Sequence, residues 1–415
     1  MRILAITHGI RRGGAQEFLL EMLGLMKSKG IDVTVLSSES AEHSFLLDLK
    51  KLNPRTYVVP YKTVTRYPDM AVERAPQLVR ASDVVWLADE IYLVAPKVKR
   101  IDSKIPIIAH LHCFALLCQI WNKTYGLRET CIRKCSVSRI IRCKQLSNES
   151  LGELEVISRS RMRAYQLIDF VKGPVDFIRW PMKGNLAESN GFNGLDGFAA
   201  PSKYVKDFVL THSPHLETLP FGVIHNPITV PEIGANEIDQ KDRPTMLYAS
   251  GPSFTKGPHI ALQATKMLLD EGKEASLSMI NVQGSAWIEN LIARLGLEKH
   301  VEVLPRLARS ELCKRMANSD FVLMPSILPE SFGRIPVEAN LVGTPAIVSD
   351  RGALPDSIID GATGILAEPS AQAFAKAISI AMSTDWNRRR IVEATKRFDP
   401  EVIADDFVRF LERFV

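Results

Sequence analysis

Residues 328–369 read LPESFGRIPVEANLVGTPAIVSDRGALPDSIIDGATGILAEP, and the order of segments around them indicates the fold class. An apolar run, FVLMPS (321–326), precedes this stretch, and a second apolar run, PAIVSD (345–350), lies within it. A helix-like segment separates the two runs, and two glutamates, Glu330 and Glu338, lie at its start. Alternation of short apolar runs with helix-like segments predicts parallel strands joined by crossover helices.

The same alternation extends over nearly the whole chain, in two series. The strand-length apolar runs lie at 2–7, 32–38, 83–89 and 105–112 in the first series, and at 245–251, 275–281, 301–305, 321–326 and 345–350 in the second. Each run is followed by a segment with helical apolar spacing. The sequence therefore predicts an α/β protein with two Rossmann-like, doubly wound parallel sheets.

The length and the composition predict where the two domains meet. A chain of 415 residues is long for one domain, and residues 221–244 are rich in proline, glycine and charge, as in an interdomain linker. We therefore expect an N-terminal domain over 1–228 and a C-terminal domain over 229–399. The apolar spacing of PEVIADDFVRFLERFV (400–415) predicts a helix that packs back on the N-terminal domain.

The charge distribution is uneven. The net charge is +5, but residues 1–220 carry 31 basic against 22 acidic residues, whereas residues 221–415 carry 21 against 25. The basic half is either a solvated surface or a face that meets an anionic lipid or membrane surface. No apolar run is long enough for a bilayer span, and the N-terminus does not read as a secretory signal. We expect a cytoplasmic protein, free or peripheral at the membrane inner face, with no nucleic-acid partner.

The start of the helix after Glu330 predicts an anion site. Ligands of open parallel sheets bind at the carboxyl ends of the strands, and the positive end of a helix dipole favours phosphate there. Four backbone amides would point outward: those of Ser331, Phe332, Gly333 and Arg334. Carboxylates beside such a site suit the hydroxyl groups of a nucleotide sugar. The alternative for Glu338 is an exposed helix residue without a ligand.

The segment ESFGRIPVE (330–338) with its glycine-rich sequel closely resembles the E-x7-E region of retaining glycosyltransferases of family 4. RRGGAQ (11–16) is similar to the glycine loop of that family, and SGPSFTKG (250–257) is similar to its diphosphate-binding loop. The resemblance implies the GT-B fold, in which two Rossmann-like domains face each other across a cleft. It also implies that the first domain binds the acceptor and the second the nucleotide-sugar donor.

The resemblance implies roles for individual residues. Glu330 matches the glutamate that contacts the donor sugar, Glu338 the one that holds the ribose, and Lys256 the lysine on the diphosphate. Gly13 and Gly14 match the loop that faces the donor, and His112 matches a histidine near the reacting sugar. Catalytic roles are thus expected for Glu330, Lys256 and His112. For His112 the alternative is a histidine satisfied at a strand end.

The resemblance further implies metal-independent transfer of a sugar to a glycan or lipid-linked acceptor, with retained anomeric configuration and no cofactor. The sequence contains no D-x-D triplet, which metal-dependent glycosyltransferases usually use.

One departure from the family pattern concerns the diphosphate loop, where Ser250 and Gly251 stand in place of the family's arginine. Either Arg334 or Arg306 substitutes for it, or the donor binds more weakly. Alternatives are a catalytically weak sugar-nucleotide-binding relative and a GT-B nucleotide-sugar epimerase. A dehydrogenase is disfavoured because G-x-G-x-x-G is absent after the first strand.

A basic insertion at 118–145 contains a cluster of four cysteines: Cys118, Cys131, Cys135 and Cys143. Four thiolates can hold a zinc ion, but the paired C-x2-C spacing of strong zinc motifs is missing. Free or packed thiols are therefore the main interpretation, with zinc as the alternative. The insertion and the basic segment 158–172 together suggest contact with an anionic membrane or acceptor lipid.

Overall fold

The computed structural model describes residues 1–9, 14–64, 67–112, 124–125, 129–130, 193–231 and 244–415. Gly13, the four clustered cysteines, segment 158–172 and most of segment 118–145 lie outside the described residues. The described part divides into two compact units. The first contains the residues up to 112, residues 193–227 and Phe398–Val415, and the second contains Ile228–Arg397 together with the short stretches 124–125 and 129–130.

A parallel sheet of seven strands forms the centre of the first unit, in the order β11–β10–β7–β6–β1–β2–β3. The described strands up to residue 223 are β1 (Arg2–Thr7), β2 (Asp32–Ser38), β3 (Thr56–Val59), β4 (Tyr61–Val64), β5 (Tyr67–Met70), β6 (Val84–Leu87), β7 (Ile107–His110), β8 (Thr124–Tyr125), β9 (Glu129–Thr130), β10 (Gly197–Ala200) and β11 (Phe221–Val223). Two short antiparallel pairs, β4–β5 and β8–β9, stand apart from the large sheet. The helices of this part are α1 (Gly14–Ser28), α2 (His43–Leu52), α3 (Pro76–Arg80), α4 (Ala95–Ile101) and α5 (Lys203–His212).

The second unit contains a parallel sheet of six strands in the order β14–β13–β12–β15–β16–β17. These strands are β12 (Thr245–Tyr248), β13 (Ser276–Ile280), β14 (Val301–Leu304), β15 (Phe321–Met324), β16 (Ala346–Ser349) and β17 (Gly364–Ala367). Its helices are α6 (Pro258–Asp270), α7 (Ala286–Leu295), α8 (Arg309–Ala317), α9 (Arg334–Leu341), α10 (Leu354–Ser357), α11 (Ala371–Met382) and α12 (Arg388–Thr395), and the chain ends with α13 (Pro400–Glu412) in the first unit.

The predicted fold class of two doubly wound parallel sheets is confirmed, and the strand sequences explain it. The central strands β6, β7, β15 and β16 read VVWL, IIAH, FVLM and AIVS, and every residue in them is buried. Such unbroken burial is typical of parallel strands covered on both faces. In each sheet the strand order reverses once, between β1 and β6 and between β12 and β15. Ligand sites of doubly wound folds lie at the carboxyl edge of such a reversal.

The C-terminal helix α13 packs on the sheet of the first unit. The ring of Phe407 contacts Trp86 of β6 with 4.9 Å between ring centroids. Gly222 of β11 leaves room for Phe410, because a Cβ at this glycine would lie 2.9 Å from the ring. Lys29, just after α1, forms ion pairs with two acidic side chains of the helix, Glu401 (2.8 Å) and Asp405 (2.7 Å). Apolar burial and charge pairing therefore both attach α13 to the first unit.

The apolar runs expected at 83–89 and 105–112 end earlier as strands, at Leu87 and His110. Asp89 and His112 consequently lie beyond the carboxyl ends of β6 and β7, where they can contribute to a site. Among the described residues, no helix combines the length and the apolar character that spanning a bilayer requires.

Candidate functional site

The strand reversal of the second unit brings Lys256 and Glu330 together. Lys256 follows β12, Glu330 follows β15, and these two strands are neighbours in the sheet. The Nζ atom of Lys256 donates to both carboxylate oxygens of Glu330, at 2.6 Å to Oε1 and 2.8 Å to Oε2. The Glu330 side chain is 16% exposed and that of Lys256 is 35% exposed. The pair therefore lies at the mouth of the site, where a ligand can reach both groups.

The carboxylate of Glu330 accepts a hydrogen bond from Ser326, whose backbone is in turn held by Ser349. The buried Ser326 donates a hydrogen bond from Oγ to Glu330 Oε1 at 2.6 Å, and Ser349 Oγ donates to the carbonyl oxygen of Ser326 at 2.6 Å. The backbone is fixed as well, since the amide of Ala353 donates to the Glu330 carbonyl at 2.8 Å. Gly352 makes this approach feasible, because a Cβ at that position would overlap the Glu330 backbone. Glu330 is thus preorganised before any ligand binds.

The loop 250–257 that carries Lys256 is anchored at both ends. The hydroxyl of buried Tyr248 donates to the Gly251 carbonyl at 2.7 Å, and the Ile327 amide donates to the Thr255 carbonyl at 2.9 Å. Burial, and secondarily the negative charge of Glu330, raises the pKa of Tyr248 well above its usual value, so the hydroxyl remains a donor. Gly257 ends the loop with φ 72°, packed against the carbonyl of Pro325.

Helix α9 begins four residues after Glu330 and directs its positive end to the same edge of the sheet. It starts at Arg334, and Pro336 is its third residue. Gly333 precedes it with φ 98°, and a Cβ there would lie 2.7 Å from the Leu354 side chain. Only glycine takes this conformation readily. The predicted amide segment Ser331–Arg334 therefore lies at a helix N-terminus, which favours a bound anion.

Glu338 is buried in the second turn of α9, with only 8% of its side chain exposed. Its Oε1 atom lies 3.4 Å from Arg309 Nη2 and 3.6 Å from Arg334 Nη2. The alternative of an exposed helix residue is therefore wrong. Of the two arginines named as possible substitutes in the diphosphate loop, Arg334 lies next to Glu338, whereas Arg306 lies exposed between β14 and α8. Arg309 was not among the residues that the sequence singled out.

Residues 231–398, which include this whole arrangement, match the family model described as Glycosyl transferases group 1. This segment, which lies within the second unit and its junction with the first, is therefore similar to the group 1 glycosyltransferases. D-inositol 3-phosphate glycosyltransferase of Corynebacterium glutamicum is 32% identical over 146 residues, which is 33% of this chain and 35% of that protein. The corresponding protein of Streptomyces coelicolor is 33% identical over 130 residues, 29% of this chain and 28% of that protein. The chain thus matches about a third of the length of these curated relatives.

Solved structures similar to this chain cover both units. HepE of Anabaena in complex with UDP-glucose has a TM-score of 0.65 at 18% identity, with 100% of both chains covered. The lipopolysaccharide outer core galactosyltransferase WaaB has a TM-score of 0.67 at 15% identity, again over 100% of both chains. At these identities the likeness concerns the fold alone, and that fold is the GT-B fold predicted from the sequence.

The first unit carries a second polar cluster at its own strand reversal. Asp89 follows β6, and its buried carboxylate accepts hydrogen bonds from Thr7 Oγ1 (2.6 Å), the His8 amide (3.0 Å) and Gln16 Nε2 (3.4 Å). Asp89 therefore ties the end of β1 to the first turn of α1, which begins at Gly14. Sequence reasoning missed Asp89, although an acidic residue two positions after the apolar run VVWL was a usable signal.

His112 lies past the end of β7 in the same unit. Its Nε2 atom is 2.9 Å from the Ala88 carbonyl oxygen, and because a carbonyl only accepts, the ring nitrogen must donate. The His112 ring stacks on buried His110 with 4.5 Å between centroids. Burial lowers the pKa of His112 to about 4, so the ring is neutral at pH 7. This contact satisfies one ring nitrogen, and the role that the resemblance implies for His112 stays a prediction.

The buried histidines predict that stability falls in mild acid. Burial lowers the pKa of His112 and of His259 to about 4, and burial together with the neighbouring His112 lowers that of His110 well below its ordinary value. Between pH 6.5 and 4 the unfolded chain therefore binds more protons than the folded one, and each group costs about 1.4 kcal/mol per pH unit. We expect the urea midpoint to drop steeply from pH 7 to pH 5.

Replacing His110 by phenylalanine tests this cause. Among the described residues, neither ring nitrogen of His110 has a hydrogen-bond partner. The change His110→Phe should flatten the dependence of the urea midpoint on pH, whereas exposed His215→Phe should leave it unchanged. If the urea midpoint depends on pH equally in the wild type and in His110→Phe, His110 does not contribute to the loss of stability in acid.

Proposed function

We propose that the protein transfers a sugar from a nucleotide-sugar donor to a glycan or lipid-linked acceptor, with retained configuration and without a metal. The observation that carries this proposal is the contact of Lys256 with both carboxylate oxygens of Glu330 at the strand reversal of a group 1 glycosyltransferase domain. It combines a cation for phosphate with a carboxylate for sugar hydroxyls in one place.

The Lys256–Glu330 pair keeps hydrogen-bonding positions that a nucleotide-sugar ligand can use. An ammonium group has three donors, and Lys256 uses two of them on Glu330, so the third can reach a phosphate oxygen. A carboxylate has about four acceptor positions, of which Lys256 and Ser326 occupy three. Glu330 can thus accept a sugar hydroxyl while Lys256 stabilises the negative charge that develops on the leaving diphosphate.

The N-terminus of α9 supports metal-independent binding of the diphosphate. Glycine at position 333 lets the backbone approach a phosphate closely, and the helix dipole provides positive potential at that point. Arg334, the first residue of the helix, adds a full positive charge. In this proposal these groups and Lys256 compensate the negative charge of the diphosphate, as a divalent ion does in metal-dependent glycosyltransferases.

The proposed donor class agrees with what is known of the similar proteins. HepE of Anabaena has been crystallised with UDP and with UDP-glucose, and the curated relatives are D-inositol 3-phosphate glycosyltransferases. We therefore propose a nucleoside diphosphate hexose as the donor. The basic N-terminal half of the chain is the part in which we place acceptor binding.

A donor panel tests the proposal. The protein is incubated with UDP-, GDP-, dTDP- and ADP-glucose, with and without EDTA, and thermal protection and slow hydrolysis of the donor are followed. We expect one nucleoside to protect and to be hydrolysed equally in EDTA, with an α-configured sugar as the first product in the proton NMR spectrum. Protection without hydrolysis or transfer would favour a binding protein without turnover. A β-configured first product would exclude retention, and a requirement for metal would exclude the metal-free proposal.

A further inference from the structure

Three charged side chains meet between helices α8 and α9. Arg309 is the first residue of α8, Arg334 is the first residue of α9, and both guanidinium groups lie next to Oε1 of Glu338, at 3.4 Å and 3.6 Å. Arg334 reaches Glu338 from the same helix, four residues earlier. Arg309 reaches it from a different helix, so this contact depends on the tertiary fold.

The burial of Glu338 explains why two arginines are needed. Removing a carboxylate from water costs several kcal/mol unless opposite charges and hydrogen bonds compensate for it. With 8% of its side chain exposed, Glu338 has lost most of its hydration, while Arg309 and Arg334 are 35% and 17% exposed. The three side chains carry a net charge of +1 by count. The carboxylate is therefore retained at this position against a substantial desolvation cost, as expected of a group with a ligand-binding role.

Cys313 provides a second observation on the position of the carboxylate. It lies one turn after Arg309 on α8 and is fully buried. The pKa of the Cys313 thiol is raised to about 11, first by burial and second by the negative charge of Glu338, whereas the charge of Arg309 lowers it. The Glu338 carboxylate is thus close enough to α8 for its charge to act on Cys313, in agreement with its 3.4 Å distance from Arg309.

We propose that Arg309 is a positioning residue for the ribose of the donor. It holds the Glu338 carboxylate in one orientation and compensates its charge, so that the exposed part of the carboxylate meets the vicinal hydroxyls without reorganisation. This inference rests on the proposed function, in which Glu338 accepts hydrogen bonds from the ribose. It adds a residue from a separate helix that the E-x7-E pattern does not contain.

Removal of the ribose hydroxyls from the ligand tests the inference. Dissociation constants are measured for UDP, GDP and ADP and for their 2′,3′-dideoxy counterparts. We expect the wild type to prefer the ribose form of the best nucleotide by tenfold or more, since hydrogen bonds to a charged carboxylate are strong. Arg309→Ala should reduce that preference to about threefold or less, and its affinity for the dideoxy form should change little.

Further variants test whether Arg309 affects ribose binding through Glu338. Glu338→Ala should remove the preference for ribose, and Arg309→Ala combined with Glu338→Ala should give no additional loss, because Arg309 acts through Glu338. Arg315→Ala is the matched control: Arg315 lies on the same helix but pairs with exposed Glu302 at 2.9 Å. It should keep the full preference for ribose.

The outcomes separate this inference from the proposed function. If no nucleoside diphosphate binds the wild type, the proposed function fails and the inference falls with it. If nucleotides bind and Arg309→Ala keeps the wild-type preference, or loses affinity equally for both ligand forms, the inference alone is wrong. Should Arg309→Ala fail to fold, Arg309→Lys provides the same comparison, because it keeps the charge but lacks the planar guanidinium group. It should show an intermediate preference, and a full wild-type preference would equally contradict the inference.

Discussion

Replacement of Glu330 by alanine is expected to lower sugar transfer by about a thousandfold or more while the melting temperature stays nearly unchanged. The carboxylate is the partner of Lys256 and the proposed partner of the donor sugar, so both contacts are lost in the transition state. The fold does not depend on it, because the ion pair lies near the surface and such pairs contribute about 0–1 kcal/mol. The backbone contact of Glu330 with Ala353 is retained in the variant.

Turnover with the best donor and thermal unfolding are the two measurements for this prediction. Glu271→Ala serves as the control, because Glu271 is an exposed glutamate of the same unit that pairs with Lys273 at 2.6 Å. Lys256→Ala should show a loss of similar size, and the double variant should lose much less than the product of the two. Wild-type turnover in Glu330→Ala would remove Glu330 from the mechanism.

The fold could be predicted from the sequence because parallel sheets leave a strong local pattern. Strands such as FVLM and AIVS are buried on both faces, and so they appear as unbroken apolar runs separated by helical segments. Strand order leaves no such pattern. That β12 lies next to β15, which brings Lys256 to Glu330, follows from the packing of the whole sheet. The sequence connected these two residues only through their resemblance to a known family.

The partners of the site residues were the least predictable part. Arg309 opens a helix that reads as an ordinary amphipathic segment, and nothing near it in sequence indicates a buried carboxylate. Asp89 was read as the last residue of a strand, whereas the strand ends at Leu87 and the side chain accepts hydrogen bonds from Thr7 and Gln16. Both contacts join segments that are distant in the chain. Local spacing cannot report them, because they depend on which helices and strands become neighbours.

Replacement of Gly257 by alanine is expected to be the most destabilising single change in the second unit that we describe, at about 3–5 kcal/mol. Two separate costs combine at this glycine. Its φ of 72° is unfavourable for alanine, and the added Cβ would overlap the carbonyl oxygen of Pro325 at the end of β15. The backbone must then move apart between the loop of Lys256 and the strand that precedes Glu330.

Gly272 separates the two costs of the Gly257 change. It has φ 76° after helix α6, but a Cβ there would meet nothing within 4 Å, so Gly272→Ala carries only the conformational cost of about 1 kcal/mol. The shift in the urea midpoint should therefore be several times larger for Gly257→Ala. Equal shifts would show that the loop has space to relax. Because relaxation would displace Lys256 from Glu330, Gly257→Ala should also weaken donor binding, whereas Gly272→Ala should leave it intact.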